Sequence, residues 1–153
     1  MYERILVPLD GSEPSNNALE QAVGIADKFG SKLVLLAVVP RVMVPVFPDE
    51  GFGAAPVTAA KDMARYQERM KEIYENVVLE AKEKLEKEYP KLEIETILRE
   101  GRPATTIVDL AENDGVDLIV MGSRGIGGIT GWILGSTSSQ VVDSCTRPIL
   151  IVK

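Results

Sequence analysis

Gly122, Gly125 and Gly135 are separated by two and nine residues, and Ser136 follows the last of them. They lie in a segment, Val120 to Ser138, that reads V-M-G-S-R-G-I-G-G-I-T-G-W-I-L-G-S-T-S. A buried-strand pattern from Asp117 to Met121 stops at Gly122, a Gly-rich stretch follows, and a Ser/Thr cluster opens a short helix-like stretch. A helix N-terminus presents unpaired N–H groups and the positive end of the helix dipole, so it attracts anions, phosphate above all. Glycine lets the backbone come close to a ligand or take positive φ. Hydroxyls at Ser123, Ser136, Thr137 and Ser138 add donors without adding charge. A second polar strand end, Pro8-Leu9-Asp10-Gly11, stands near the start of the chain.

Composition removes several other chemistries. The 153 residues fit one domain, 1–153, with a sizeable core. Apolar residues make up 45% and charged residues 26%, the balance of a folded globular protein. No apolar run approaches the roughly 20 residues of a membrane helix. The N-terminal apolar stretch is short and leads into a turn, unlike a signal peptide, so a cytoplasmic location is expected and no membrane partner. With a net charge of −6 and no basic cluster, no nucleic-acid partner is expected. A mononucleotide is a different case, because neutral backbone amides can hold its phosphates. Cys145 is the sole cysteine and there is no histidine. That excludes an internal disulfide, His-ligated metals and Ser-His or Cys-His nucleophiles. Cys145 itself reads as a small buried hydrophobe.

The elements that must position these groups alternate regularly. Arg4 to Leu9 is a short run apolar on both faces, as a central parallel strand requires. Ser12 is a suitable N-cap for a helix with Ala18, Ala22, Ile25, Ala26 and Phe29 inward, closed by Gly30. Lys32 to Val39 is a second buried strand. Residues 40–60 are rich in Pro and Gly and form an irregular insertion, open between a loop packed on its own subunit, a lid near the ligand and an oligomer contact. The longest helix, Lys61 to Tyr89, is expected to turn Met63, Tyr66, Met70, Ile73, Val77, Ala81 and Leu85 inward. Leu92 to Leu98 alternates and reads as a strand nearer the sheet edge. Pro103 enters a helix with Ala104, Ile107, Val108 and Ala111 inward, closed at Gly115. After the strand to Met121, Thr137 and Gln140 have capping-box spacing at a helix with Val141, Val142 and Cys145 on its apolar side. Ile149 to Val152 is the last strand. This order predicts an α/β fold: a five-stranded parallel sheet with helices on both faces.

In open α/β sheets ligands sit at the carboxyl ends of strands where strand order reverses. If the first and fourth strands are neighbours, Asp10 and the Gly-rich segment face one crevice. A Walker A loop is excluded because no glycine is followed by lysine. A dinucleotide fingerprint fails because Thr130 replaces its last glycine and it follows the fourth strand. A phospho-receiver site lacks an acidic neighbour for Asp10.

Taken together, I-L-V-P-L-D-G-S, the Gly101-Arg102-Pro103 turn, D-L-I-V-M-G, the spaced glycines with L-G-S-T-S-S-Q-V-V, and the terminal R-P-I-L-I-V resemble the universal stress protein family. The glycine spacing looks like the signature of its ATP-binding members. The resemblance implies a Rossmann-like, adenine nucleotide alpha hydrolase-like fold. It also implies a site for ATP or for AMP or ADP, and a homodimer. By that carry-over Asp10, with Pro8 at the strand end and the backbone near Val38, lies by adenine and ribose. Met121, Gly122, Ser123 and Gly125 line the nucleotide, and Gly135, Ser136, Thr137 and Ser138 hold phosphates. Arg124 is open between a phosphate contact and solvent, and Asp10 and the glycines between ligand contacts and plain turns. Mg²⁺ or Mn²⁺ could accompany the nucleotide, held mainly by the phosphates. The expected role is a nucleotide-dependent regulatory switch in a stress response, with little or no hydrolysis. The alternatives are a slow ATPase or other nucleotide-processing enzyme, or a scaffold without ligand. The apolar C-terminal strand, Ile149 to Val152, would pair across the dimer.

Overall fold

A computed structural model describes residues 1–42, 57–126 and 134–153. The body of the insertion after Pro40, and Gly127 and Thr130 of the rejected fingerprint, lie outside these residues. The elements run β1 (Arg4–Pro8), α1 (Glu13–Phe29), β2 (Lys32–Pro40), α2 (Val57–Glu88), β3 (Ile94–Gly101), α3 (Pro103–Asn113), β4 (Leu118–Gly122), α4 (Ser136–Ser144) and β5 (Ile149–Val152). The five strands form one parallel sheet in the order β3-β2-β1-β4-β5.

The strands form because their apolar residues fill both faces. Ile5, Val7, Leu33, Leu35, Leu118 and Val120 meet α1 and α2 on one side. Leu6, Val34, Leu36, Ile119 and Met121 meet α3 and α4 on the other. Burying each such side chain stabilises the fold by about 1.5–3 kcal/mol, which fixes register. β1 pairs with β2 from Arg4↔Lys32 and with β4 from Ile5↔Leu118. The chain therefore leaves β1 in one direction and returns beside it as β4 on the other, so the strand order reverses between them.

Helix boundaries follow local chemistry. Ser12 caps α1 by accepting from the Ser15 amide at 3.3 Å, and Gly30 closes it in the left-handed conformation. α4 departs from the expected capping box. Its N-cap is Gly135, with no side-chain cap bond, so Thr137 and Gln140 lie within the helix. The inward faces also differ in places. Val23 replaces Phe29 in the core; Phe29 stays 48% exposed, edge-on to Tyr2. Leu110 is buried on α3, whereas Val108 is partly so. Val142 is exposed on α4.

The largest departure is in α2. Tyr66 and Ile73, placed inward by spacing, are each 50% exposed. The line that packs on the sheet is Tyr74, Val77, Val78, Ala81 and Leu85. Length explains part of this. A 32-residue helix is about 48 Å long, against about 30 Å for the nine-residue β2. The Gln67 amide meets Pro40 O and the Val42 N–H, each at 3.4 Å, so Gln67 stands level with the end of β2. Residues before it run past the sheet. Among the described residues, no helix is long and apolar enough to cross a membrane.

Candidate functional site

The reversal of strand order opens a cleft at the carboxyl ends of β1, β2 and β4, and a cavity of about 340 Å³ occupies it. It lies across the top edge of the sheet, between the α2 side and the α3–α4 side. Strand β1 supplies Pro8, Leu9 and Asp10. Leu9 is held by donating its N–H to Leu36 O at 2.8 Å, which extends the β1–β2 pairing to the cleft. From β2 come Leu36 and Val38, and from β4 come Met121 and Gly122. Val38 and Met121 are nearly buried, at 6% and 4% exposure, so this wall is apolar.

Asp10 joins the two strand ends. Its Oδ1 accepts from the Ser12 amide at 2.9 Å, an Asx-type turn. Its Oδ2 accepts from the Ile126 amide at 3.2 Å, across 116 residues of chain. The turn function and the site position coexist in one carboxylate.

On the opposite rim stand Gly135, Ser136, Thr137 and Ser138, at the N-terminus of α4. Ser123 positions them. Its N–H donates to Val152 O at 2.7 Å, and its carbonyl accepts both the Gly135 N–H and the Ser138 hydroxyl at 2.7 Å. Ser138 is 2% exposed, and its hydroxyl also lies within 3.1 Å of Gly135 O. That hydroxyl is engaged in closing the Gly-rich segment on itself. Ser136 and Thr137 remain on the rim, with the amides of the first turn. Ser123 and Arg124 do not line the cavity. Ser123 is 5% exposed, and its Oγ has no hydrogen-bond partner among the described residues.

The glycines have a different reason from the one read in the sequence. None of Gly122, Gly125 and Gly135 has positive φ. Each is small because protein crowds it. A Cβ on Gly122 would stand 2.7 Å from the Pro14 carbonyl carbon, where α1 begins. On Gly125 it would stand 2.6 Å from Asp10 Oδ2, and on Gly135 3.2 Å from Arg124 Cα. The turn that does need left-handed backbone is Gly11, φ 81°.

The structure brings together Pro8, Asp10, Val38, Met121, Gly122, Gly125 and Gly135 to Ser138. It also adds residues that sequence reasoning missed: Tyr74, Ser15, Ile126, Leu36, Pro103 and Ile107. Pro103 and Ile107 were legible only as a turn and a core residue. Tyr74 carried no signal, since it stands one place off the expected stripe of α2. Burial pushes its phenol above the ordinary value, and the Asp10 charge adds to the shift. No group of three or more His, Cys, Asp or Glu among the described residues could hold a metal. Chemically, the cleft offers an apolar slot, one carboxylate at its β1 side and a helix N-terminus at its α4 side. That suits a ligand with a flat apolar part and an anionic part.

Comparison with known proteins agrees along the whole chain. Universal stress protein YxiE of Bacillus subtilis is 36% identical over 155 aligned positions, covering 100% of both chains. Among solved structures, MJ0577, a universal stress protein of Methanocaldococcus jannaschii, superposes with a TM-score of 0.73 at 26% identity, covering 100% of this chain and 96% of the other. A universal stress protein solved in complex with cAMP gives a TM-score of 0.68 at 25% identity, covering 99% and 97%. The model of the universal stress protein family matches residues 1–153, and the chain belongs to that family.

Proposed function

We propose that this protein binds an adenine nucleotide, ATP in particular, in the cleft between β1 and β4, and works as a regulatory switch with little or no hydrolysis. The observation that carries the reading is the cavity itself. Asp10 and the N-terminus of α4 face one apolar slot at the point where strand order reverses. In this reading the base lies against Val38 and Met121, with Pro8, Gly122 and Gly125 beside the nucleoside. Phosphates meet the first-turn amides, Ser136 and Thr137. Ser138 and Ser123 hold the loop that presents those amides, and Arg124 borders it. The cAMP bound by a relative supports the ligand class.

The case for slow or absent hydrolysis is chemical. Rapid phosphoryl transfer needs a group that orients water, with cations at the transferred phosphoryl. The carboxylate at the cleft, Asp10, already accepts two backbone amides. Mg²⁺ or Mn²⁺ would bind chiefly through phosphate oxygens, neutralising their charge.

Two further parts belong to the proposal. β5 lies at a sheet edge with Leu150 37% exposed, and we assign it to a two-fold strand pairing between copies of the chain. A Leu150→Lys variant that elutes as smaller particles than wild type would support this; a monomeric wild type in light scattering refutes it. A cytoplasmic setting suits a chain whose sole cysteine forms no internal disulfide.

The test of the site is calorimetric titration of nucleotide-stripped protein with ATP and Mg²⁺, and with adenosine. Wild type binds both. Ser136→Asp, which puts negative charge at the N-terminus of α4, weakens ATP at least tenfold and leaves adenosine within about twofold. Absence of ATP binding by folded wild type refutes the reading. Equal loss of both ligands refutes the assignment of the phosphates to α4.

A further inference from the structure

Tyr74 is a cavity residue that neither glycine spacing nor the strand ends account for. It sits on α2, the helix that docks over the Asp10–Gly11 turn. The dock is close: a Cβ on Gly11 would stand 3.4 Å from Val77 Cγ2, and Val77 is one helical turn beyond Tyr74. Tyr74 and Val77 both pack against the cluster that includes Val7 and Leu9. The ring of Tyr74 is thereby fixed on the α2 side of the cleft, beside Asp10. None of the hydrogen bonds among the described residues engages its hydroxyl. A partly buried phenol usually finds a partner.

We propose that Tyr74 is a specificity-determining residue for the ribose hydroxyls, acting beside Asp10, which the family resemblance already sets by adenine and ribose. This deepens the nucleotide reading and rests on it. The charge and polarity of the cleft agree with the ligand placement that the family resemblance implies. Phosphates are repelled by the Asp10 carboxylate and drawn to α4. The flat base fits the apolar wall of Val38 and Met121. The sugar then faces Asp10, as the resemblance implies, and Tyr74 lines the same side of the cavity. A ribose diol presents two hydroxyls, each a donor and an acceptor. Each oxygen of Asp10 accepts one backbone amide and keeps a second lone pair for a sugar hydroxyl. The phenol supplies the donor that a carboxylate lacks. An isolated carboxylate would favour any hydroxyl donor, whereas this pair matches the donor–acceptor pattern of a diol.

The experiment compares ATP with its 2′-deoxy and 3′-deoxy forms on nucleotide-stripped wild type and Tyr74→Phe, by calorimetry. The Phe variant keeps the ring and so the packing; urea unfolding verifies that it folds as wild type does. Wild type is expected to prefer ATP to at least one deoxy form by about tenfold. Tyr74→Phe is expected to shrink that preference about three- to tenfold while its affinity for the deoxy form stays near wild type. An unchanged preference in Tyr74→Phe overturns the role of Tyr74 and leaves the nucleotide reading standing. A wild type that binds ATP without discriminating either deoxy form does the same. A wild type that binds no ATP overturns the nucleotide reading, and this one with it.

Discussion

Replacing Gly125 by alanine tests why the signature glycine is there. A ligand-approach role and a protein-packing role predict different couplings. The Cβ would lie 2.6 Å from Asp10 Oδ2, short of ordinary contact at 3.4 Å by about 0.8 Å. The carboxylate is the movable partner. Shifting Oδ2 by that amount takes its bond with the Ile126 amide from 3.2 Å beyond hydrogen-bond range. A hydrogen bond to a charged group contributes about 1.5–3 kcal/mol, and partial exposure puts this one at the lower end. The expected loss is about 1.5 kcal/mol of folding stability, and because this bond holds the Gly-rich segment against Asp10, the accompanying loss of ATP affinity is at most roughly tenfold. Backbone strain adds nothing, because φ at Gly125 is not positive. The decisive assay is a double-mutant cycle with Asp10→Ala, which removes the atom that collides. In that background Gly125→Ala should change ATP affinity by less than about twofold, and urea unfolding without nucleotide should show the same coupling. A tenfold loss in both backgrounds refutes the reasoning and points to direct contact between the Cβ and the nucleotide.

Three other perturbations follow from the same geometry. Gly122→Ala sets a Cβ 2.7 Å from backbone at Pro14, where no side chain can yield; urea unfolding should show a loss of about 1–3 kcal/mol, and an unchanged midpoint would contradict it. Ser138→Ala removes the hydroxyl that donates to the Ser123 carbonyl from a nearly fully buried position. It should destabilise by about 1 kcal/mol, while hydrogen exchange at the Gly135 amide speeds up. Glu112 should make the protein acid-sensitive. Its carboxyl is held below the ordinary 4.5, first by the Thr146 backbone N–H and then by the Thr146 hydroxyl. A depressed folded value means that its stabilisation is present above about 4.5 and is lost as pH falls through the lower folded value. Glu112→Gln should flatten the acid limb of a stability–pH curve, and a curve of unchanged slope would show that the bond has no such role.

The fold was legible because its rules are local and periodic. Runs such as Arg4 to Leu9 and Lys32 to Val39 can bury both faces only in a covered parallel sheet, and Ser12 and Gly30 mark helix ends by their own chemistry. The candidate site was partly legible for the same reason, since Asp10 and Gly122 onward are strand ends. That β1 and β4 are neighbours is a pairing across 113 residues or more, and no local pattern specifies it. The bond between Asp10 and the Ile126 amide depends on that pairing, and so does the crowding that requires glycine at 125. The sequence offered positive φ or ligand approach as the reason for these glycines; packing against Pro14, Asp10 and Arg124 is the reason the structure gives. Tyr74 was hidden because helical spacing in α2 averages over a segment that runs past the sheet and a segment that docks on it. Which residues face inward there depends on where β2 ends. Residue types set what chemistry the chain could hold; long-range strand pairing and helix docking decided which of those residues meet.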